Sequence, residues 1–161
     1  MTGAVVQVSV SAGGVPNHAI DCGNVTIRGI AGDGWNHPQF HGGPKRAILL
    51  ITAEGLDEIQ AMGFPVYPGA LGENLTTRGL DRRALRIGQR LRCGTATIQL
   101  TDVRLPCDTL SVYGKGIEGA IYDERCMKAD PSSEVWGLSG FCASVIEPGI
   151  VRPGDPVTLL P

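Results

Sequence analysis

The sequence predicts a mainly β, barrel-like fold with two or three short helices. Three observations carry this: short apolar runs at strand spacing, an abundance of turn formers, and few aromatic residues. Ala96, Ile98 and Leu100 alternate with Thr97, Gln99 and Thr101, a period of two that fits a half-buried strand. The 161 residues include 23 glycines and 11 prolines, enough to punctuate the chain every few residues. Aromatic residues are only 5% of the chain, so the core must be built from small branched side chains.

The elements follow in order. Ala4, Val6, Val8 and Val10 alternate with Val5, Gln7, Ser9 and Ser11, giving a first strand. A loop at residues 11–18 turns around Gly13, Gly14 and Pro16, and an extended stretch runs over 19–30. Residues 29–44 hold five glycines, two prolines and two histidines, and must be irregular. The continuous run Ile48, Leu49, Leu50, Ile51 reads as a fully buried strand. Thr52 is the N-cap of a helix reaching Met62, ended by Gly63 and Pro65, with Leu56, Ile59 and Met62 on its buried face. Residues 67–80 read as a turn-rich loop. A turn at Ile87 and Gly88 leads into a strand over 90–93, followed by the 96–101 strand. A short helix is expected over 115–125, from Ile117, Ile121 and Tyr122. Strands are expected at 141–146 and 157–160, joined across Pro153, Gly154 and Asp155. Antiparallel closure would leave few exposed edges.

Length and patterning fit one domain over residues 1–161, without repeats or linkers. Hydrophobic residues make up 42% and charged residues 19%, as expected of a globular chain. The net charge of −2 shows no basic stripe, so neither nucleic acid nor an anionic membrane surface is an expected partner. No apolar run approaches the ~20 residues of a membrane span, and the first residues lack the pattern of a signal peptide. Five cysteines without a CxxC pair argue against a disulfide framework or structural zinc, and suggest a reducing cytoplasm. Four of them read as small apolar fillers.

Cys107 is the exception. It follows Arg104, Leu105 and Pro106 at the end of the clearest strand, where Pro106 stops ladder pairing. A thiolate there is a nucleophile and a soft metal ligand, favoured by nearby positive charge, for which Arg104 is the candidate. A buried structural cysteine is the competing reading. A second cluster, His41, Gly42, Gly43, Pro44, Lys45 and Arg46, could bind an anion through converging backbone N–H groups and two cationic side chains. It could equally be a solvated surface turn, and it lacks the spacing of a P-loop. His37 and His41 have a helical zinc spacing, but Pro38, Gly42 and Gly43 oppose a helix, so no zinc site is expected. A third cluster, Pro68 to Leu75, places Glu73 and Asn74 where they could read a polar heterocycle or simply tie up loop backbone.

Taken in order, Gly32-Asp33, His41-Gly42-Gly43, Pro68-Gly69, Gly72-Glu73-Asn74-Leu75, Ile87-Gly88, Pro106-Cys107, Pro148-Gly149 and Gly154-Asp155 resemble the MOSC pattern, named after the C-terminal domain of molybdenum cofactor sulfurase. The resemblance spans nearly the whole chain, and Gly-Glu-Asn and Pro-Cys are its most specific parts. It implies a β-barrel-like MOSC fold associated with the molybdenum cofactor (molybdopterin) and with sulfur carriage. By motif position Cys107 would bear a persulfide or ligate molybdenum. Cofactor-binding candidates are His41, Gly42, Gly43, Lys45, Arg46, Glu73, Asn74 and Arg104, with Lys45 and Arg46 on the phosphate. Two functions are implied. One is a cofactor-binding or sulfur-carrier module, served by a sulfur-donor protein. The other is a small molybdoenzyme reducing N-hydroxylated compounds, served by an electron-donor protein. A MOSC fold that has lost cofactor binding is the third possibility. The chain is too short for a pyridoxal-phosphate desulfurase domain, so that cofactor is not expected.

Overall fold

The computed structural model describes residues 1–11, 13–34 and 44–161. Its framework is a closed ring of seven strands. These are β1 (Thr2–Val10), β5 (Ile48–Thr52), β6 (Leu75–Arg78), β7 (Arg90–Cys93), β8 (Ala96–Val103), β9 (Phe141–Glu147) and β11 (Pro156–Leu159). The order β11-β7-β8-β9-β5-β6-β1 closes where β1 pairs with β11. Closure gives every strand two neighbours and removes the open edges that an equivalent flat sheet would expose. β2 (His18–Ile20) extends the sheet from the end of β1. A separate small sheet joins β3 (Gly23–Thr26), β4 (Gly29–Ile30) and β10 (Gly149–Val151).

The expected mainly β barrel is therefore what the chain forms, with several local differences. The 67–80 segment is not all loop, because β6 lies inside it and pairs in parallel with β5. That parallel pair also breaks the expected all-antiparallel closure. The extended 19–30 stretch is three short strands. The single helix expected over 115–125 is two, α2 (Ile117–Ile121) and α3 (Glu124–Met127), divided at Tyr122, whose backbone is extended. β10 lies in a stretch assigned no element from sequence.

The helix α1 (Ala53–Ala61) forms as its sequence predicts. The Thr52 hydroxyl accepts from the Gly55 amide at 3.0 Å, satisfying one of the first-turn donors. Leu56 and Ile59 are buried, but Met62 is 48% exposed, because the helix has ended and Met62 is its C-cap.

The strand β5 divides two apolar clusters. Its Ile48 and Leu50 face the barrel interior with Val5, Val8, Ile98, Leu100, Phe141 and Ala143. Ile51 faces the other way, into a cluster with Leu56 and Ile59 of α1, Leu110, Ile117 and Ile121. A strand covered on both faces needs the continuous apolar run seen in the sequence. The cysteines also divide. Cys93, Cys126 and Cys142 are buried, Cys107 is half-buried, and Cys22 is exposed rather than a filler.

Candidate functional site

One irregularity in β8 sets the geometry of the site. Its pairing with β9 slips between Leu100, opposite Ala143, and Asp102, opposite Cys142, leaving Thr101 as an extra residue. Such a bulge reverses the inside–outside alternation beyond it. Ala96, Ile98 and Leu100 point into the barrel, yet it is Val103 rather than Asp102 that packs against the same core. Asp102 is thereby turned outward and remains exposed. The Thr101 hydroxyl donates to the Lys45 and Cys142 carbonyls, fastening the bulge to its neighbours.

Beyond the bulge the chain leaves the barrel wall and borders a cleft of about 310 Å³, near the lower end of the range for small-molecule sites. Asp102, Arg104, Leu105, Cys107, Asp108 and Thr109 line it from this segment. Arg46, Asn74, Asp33, Tyr122 and Cys142 line it from five other parts of the chain. Arg46, Asn74 and the Arg104–Cys107 segment, distant from one another in sequence, thus meet at one cleft.

Arg104 is buried at its inner wall. It donates to the Ser139 carbonyl at 3.3 Å and the Leu71 carbonyl at 2.9 Å. Burial lowers its pKa from the ordinary guanidinium value, while the sulfurs of Cys107 and Cys142 and the Glu73 carboxylate oppose that shift. The Cys107 sulfur is the largest of the charges acting against that lowering. The Cys107 sulfur lies 2.7 Å from the Thr109 hydroxyl. Cys142, on β9, faces the same guanidinium, but burial pushes its thiol up to about 11, so it stays protonated at neutral pH. Tyr122 holds its phenol proton more tightly than an ordinary tyrosine, through burial and then the charges of Cys126, Asp102 and Asp123.

Asn74 and Glu73 are adjacent and differ completely. Asn74 is a knot in the cleft wall. Its Oδ1 accepts from the Leu49 amide at 2.9 Å, and its Nδ2 donates to the Ser9 carbonyl and to Asp33 Oδ2 at 2.8 Å. Asp33 Oδ1 in turn accepts from the Ser11 amide. Glu73 is absent from the lining and fully buried behind it. Its carboxylate accepts from the Gly69 and Leu71 amides and the Thr76 hydroxyl. That is the loop-tying role, not contact with a heterocycle. Burial pushes its carboxyl above the ordinary range, against the pull of those donors. The Glu73 turn also needs glycine at residue 69. Its φ is +92°, and a side chain there would begin 2.5 Å from the Asn17 carbonyl oxygen.

The remaining candidates separate. Lys45 is exposed and is not part of the lining, so only Arg46 of that cationic pair reaches the cleft. The described lining holds two guanidiniums and three carboxylates. His41, Gly42 and Gly43, like His37, lie outside the described residues. Sequence reasoning missed Asp102, Tyr122 and Cys142. The jump from Leu100 to Val103 in the apolar pattern was the one available signal for the bulge that exposes Asp102.

The family model described as "MOSC domain" matches residues 37–158. The chain belongs to the MOSC domain family. This MOSC domain is 32% identical over 130 residues to the uncharacterized protein YflK of Bacillus subtilis, covering 80% of this chain and 54% of that protein. It is 32% identical over 142 residues to protein YiiM of Escherichia coli, covering 84% and 58%. The chain thus spans little more than half the length of these curated relatives. Among solved structures, YiiM from Escherichia coli matches with a TM-score of 0.71 at 27% identity, over 100% of this chain and 70% of that one. The YUAD protein from Bacillus subtilis matches with a TM-score of 0.71 over 98% and 94%; at 23% identity it supports the barrel fold alone.

Proposed function

We propose that this MOSC domain is a thiol-centred module that binds molybdenum cofactor or carries sulfane sulfur on Cys107. The observation that carries this reading is the half-buried Cys107 in the lining of the cleft, within electrostatic reach of the buried Arg104 guanidinium. Family membership supplies the association with the cofactor, and the cleft supplies residues of suitable type. A thiolate is the soft ligand that a thiophilic metal takes. Guanidiniums suit the phosphate and dithiolene anions of the pterin. Among the described residues no three His, Cys, Asp or Glu side chains gather into a metal set, and Cys107 is the proposed protein ligand. When bound, the cofactor supplies the redox-active metal centre.

In this reading Cys107 holds the metal or the sulfane sulfur. Arg104 places a positive charge within reach of the Cys107 sulfur. Arg46 is the phosphate anchor within the described cleft, and His41, Gly42, Gly43 and Lys45 are the further candidates for that group. Asn74 and Glu73 hold the wall on which these groups are mounted. A second reading, reduction of N-hydroxylated compounds, is favoured by Tyr122, whose tightly held phenol proton would sit in the cleft with Asp102 and Cys107.

The test is to produce wild type and Cys107→Ser in cells that make molybdenum cofactor, then measure molybdenum, pterin and protein-bound sulfane sulfur. The wild type should retain cofactor or sulfur in near-stoichiometric amount and Cys107→Ser should lose it. Equal loading of the two proteins would overturn the role of Cys107. Turnover of an N-hydroxylated compound that stops in Tyr122→Phe would favour the second reading.

A further inference from the structure

We propose that Asn17 is a ligand-reading residue of the cleft, its side-chain carbonyl accepting an N–H from the pterin of the bound cofactor. The inference rests on the cofactor-binding reading and adds a residue that orients the ligand.

The buried polar side chains of the described lining are mostly occupied. Asn74 uses both polar atoms on Leu49, Ser9 and Asp33. Asp33 is held by the Ser11 amide and by Asn74. Arg104 is held by the Ser139 and Leu71 carbonyls. Asn17 differs. It borders the same cleft and is only 6% exposed. Its Nδ2 donates to the Glu73 carbonyl at 3.3 Å. That partner is an acceptor, so the nitrogen must face it, and the oxygen takes the other corner of the carboxamide. Among the described residues no group donates to that oxygen. The buried side-chain atoms that lack a partner and are also sealed from solvent are the Thr77 and Thr97 hydroxyls. Asn17 Oδ1 is not one of them, and the surface that Asn17 borders is the cleft.

Asn17 is also fixed in place. Its backbone amide donates to the Gly69 carbonyl at 2.8 Å, and a Cβ on residue 69 would begin 2.5 Å from the Asn17 carbonyl oxygen. The residue is thus pressed against a turn that Glu73 ties together. Arg104 donates to Leu71 of the same turn, so Asn17 and the Cys107 segment are mounted on one wall. A buried acceptor held rigidly with an open side favours a ligand donor that completes it. It disfavours an anionic oxygen, which would set two acceptors against each other. The phosphate of the cofactor therefore lies away from Asn17. The pterin fits there, because one edge of its ring carries a ring N–H and an amino group.

The experiment titrates the full chain, made in cells that lack molybdenum cofactor, with two fluorescent compounds. One is hydroxymethylpterin. The other is its N-methylated derivative, whose ring edge has no N–H. Wild type should bind the parent pterin about tenfold more tightly, the factor for one hydrogen bond to a buried acceptor. In Asn17→Ala, whose fold is checked by thermal melting, that ratio should fall to near one, while Cys107 is alkylated at the wild-type rate. Should Asn17→Ala not fold, the wild type alone decides. The NMR signals of its Asn17 carboxamide should shift with the parent pterin and stay in place with the methylated one. Equal affinities in wild type, an unchanged ratio in Asn17→Ala, or carboxamide signals that do not move would overturn the assignment of Asn17. Molybdenum retained by protein from cofactor-making cells would leave the cofactor reading standing in each of these cases. Failure of both pterins to bind would also overturn the assignment, and absence of retained molybdenum as well would remove the cofactor reading with it.

Discussion

The 69–76 turn and the 101–109 segment border the same cleft and use their polar groups in opposite ways. In the turn, Glu73 and Asn74 direct their side chains to backbone and neighbouring side chains, with both Glu73 oxygens and both Asn74 polar atoms occupied. In the segment, Asp102 and Asp108 are exposed, and Cys107 presents a half-buried sulfur beside Arg104. The first arrangement builds a wall and the second presents chemistry. Two motif parts that look equally functional in sequence therefore have different jobs. Glu73 is a strut, and Cys107 is the group on which the proposed function rests.

The largest effect that would sharpen this contrast is on Glu73. Glu73→Ala leaves two buried amides and the Thr76 hydroxyl without acceptors and should cost about 3 kcal/mol. Urea denaturation measures it. A wild-type midpoint would break the comparison. The pH dependence has a defined sign. Burial raises the Glu73 carboxyl above its ordinary value of 4.5. Above that value the folded state holds a proton that the unfolded state has released, so this group's contribution to stability falls as pH rises through the window between the unfolded and folded values. Glu73→Gln cannot titrate and should flatten that part of the profile.

Asn74 comes next. Asn74→Ala removes the acceptor of the Leu49 amide and the donor to Ser9 and Asp33, and should cost about 2 kcal/mol. It should also free Asp33 from one of its two partners. Hydrogen exchange at the Leu49 amide would report the change locally, and unchanged protection there would contradict the role of Asn74 as a knot.

The two regions were not equally legible. β1, β5, β7, β8 and β9 could be read because alternation or a continuous apolar run marks them. The Thr52 cap could be read from residue type. β6 could not, because Leu75, Thr76, Thr77 and Arg78 carry a single aliphatic residue, and their burial comes from flanking strands that local pattern does not reveal. Cys107 could be picked out by its position after Pro106. Its neighbours Asp102, Cys142 and Tyr122 could not, since a bulge, a cross-strand pairing and a break between two helices bring them to the cleft. The roles of Glu73 and Asn74 stayed open because a polar side chain in a Gly-rich turn can serve backbone or ligand, and only the hydrogen-bond partners decide.

A smaller effect tests the buried cysteines Cys142 and Cys93. Burial raises the Cys142 thiol to about 11 and the Cys93 thiol to about 12, from an ordinary 9.0. Below pH 9 both are protonated in folded and unfolded chains, and their contribution is fully present. As pH rises through the folded values the contribution is lost, because the unfolded chain ionises first. Thermal stability should fall between about pH 9 and 12, and Cys142→Ala should remove part of that fall, on the order of 1–2 kcal/mol. An identical alkaline profile in Cys142→Ala would show that its thiol is not protected in this way.

The smallest stability effect is expected at the residue with the largest functional one. The Cys107 sulfur is half-buried and touches the Thr109 hydroxyl, so Cys107→Ser removes little packing and keeps a polar atom beside that partner. Its unfolding free energy should stay within about 0.5 kcal/mol of wild type. Alkylation at neutral pH, mapped by mass spectrometry, should label Cys107 and the exposed Cys22 well before Cys93, Cys126 and Cys142. Cys22 lies outside the cleft lining, so its labelling serves as an internal reference. A ligand that occupies the cleft should slow Cys107 relative to Cys22 in the same sample. Equal slowing of both would mean that the ligand acts on the whole molecule or on the reagent. Loss of stability in Cys107→Ser as large as that in Glu73→Ala would place Cys107 in the architecture with Glu73, and the division between wall and proposed functional group would fail.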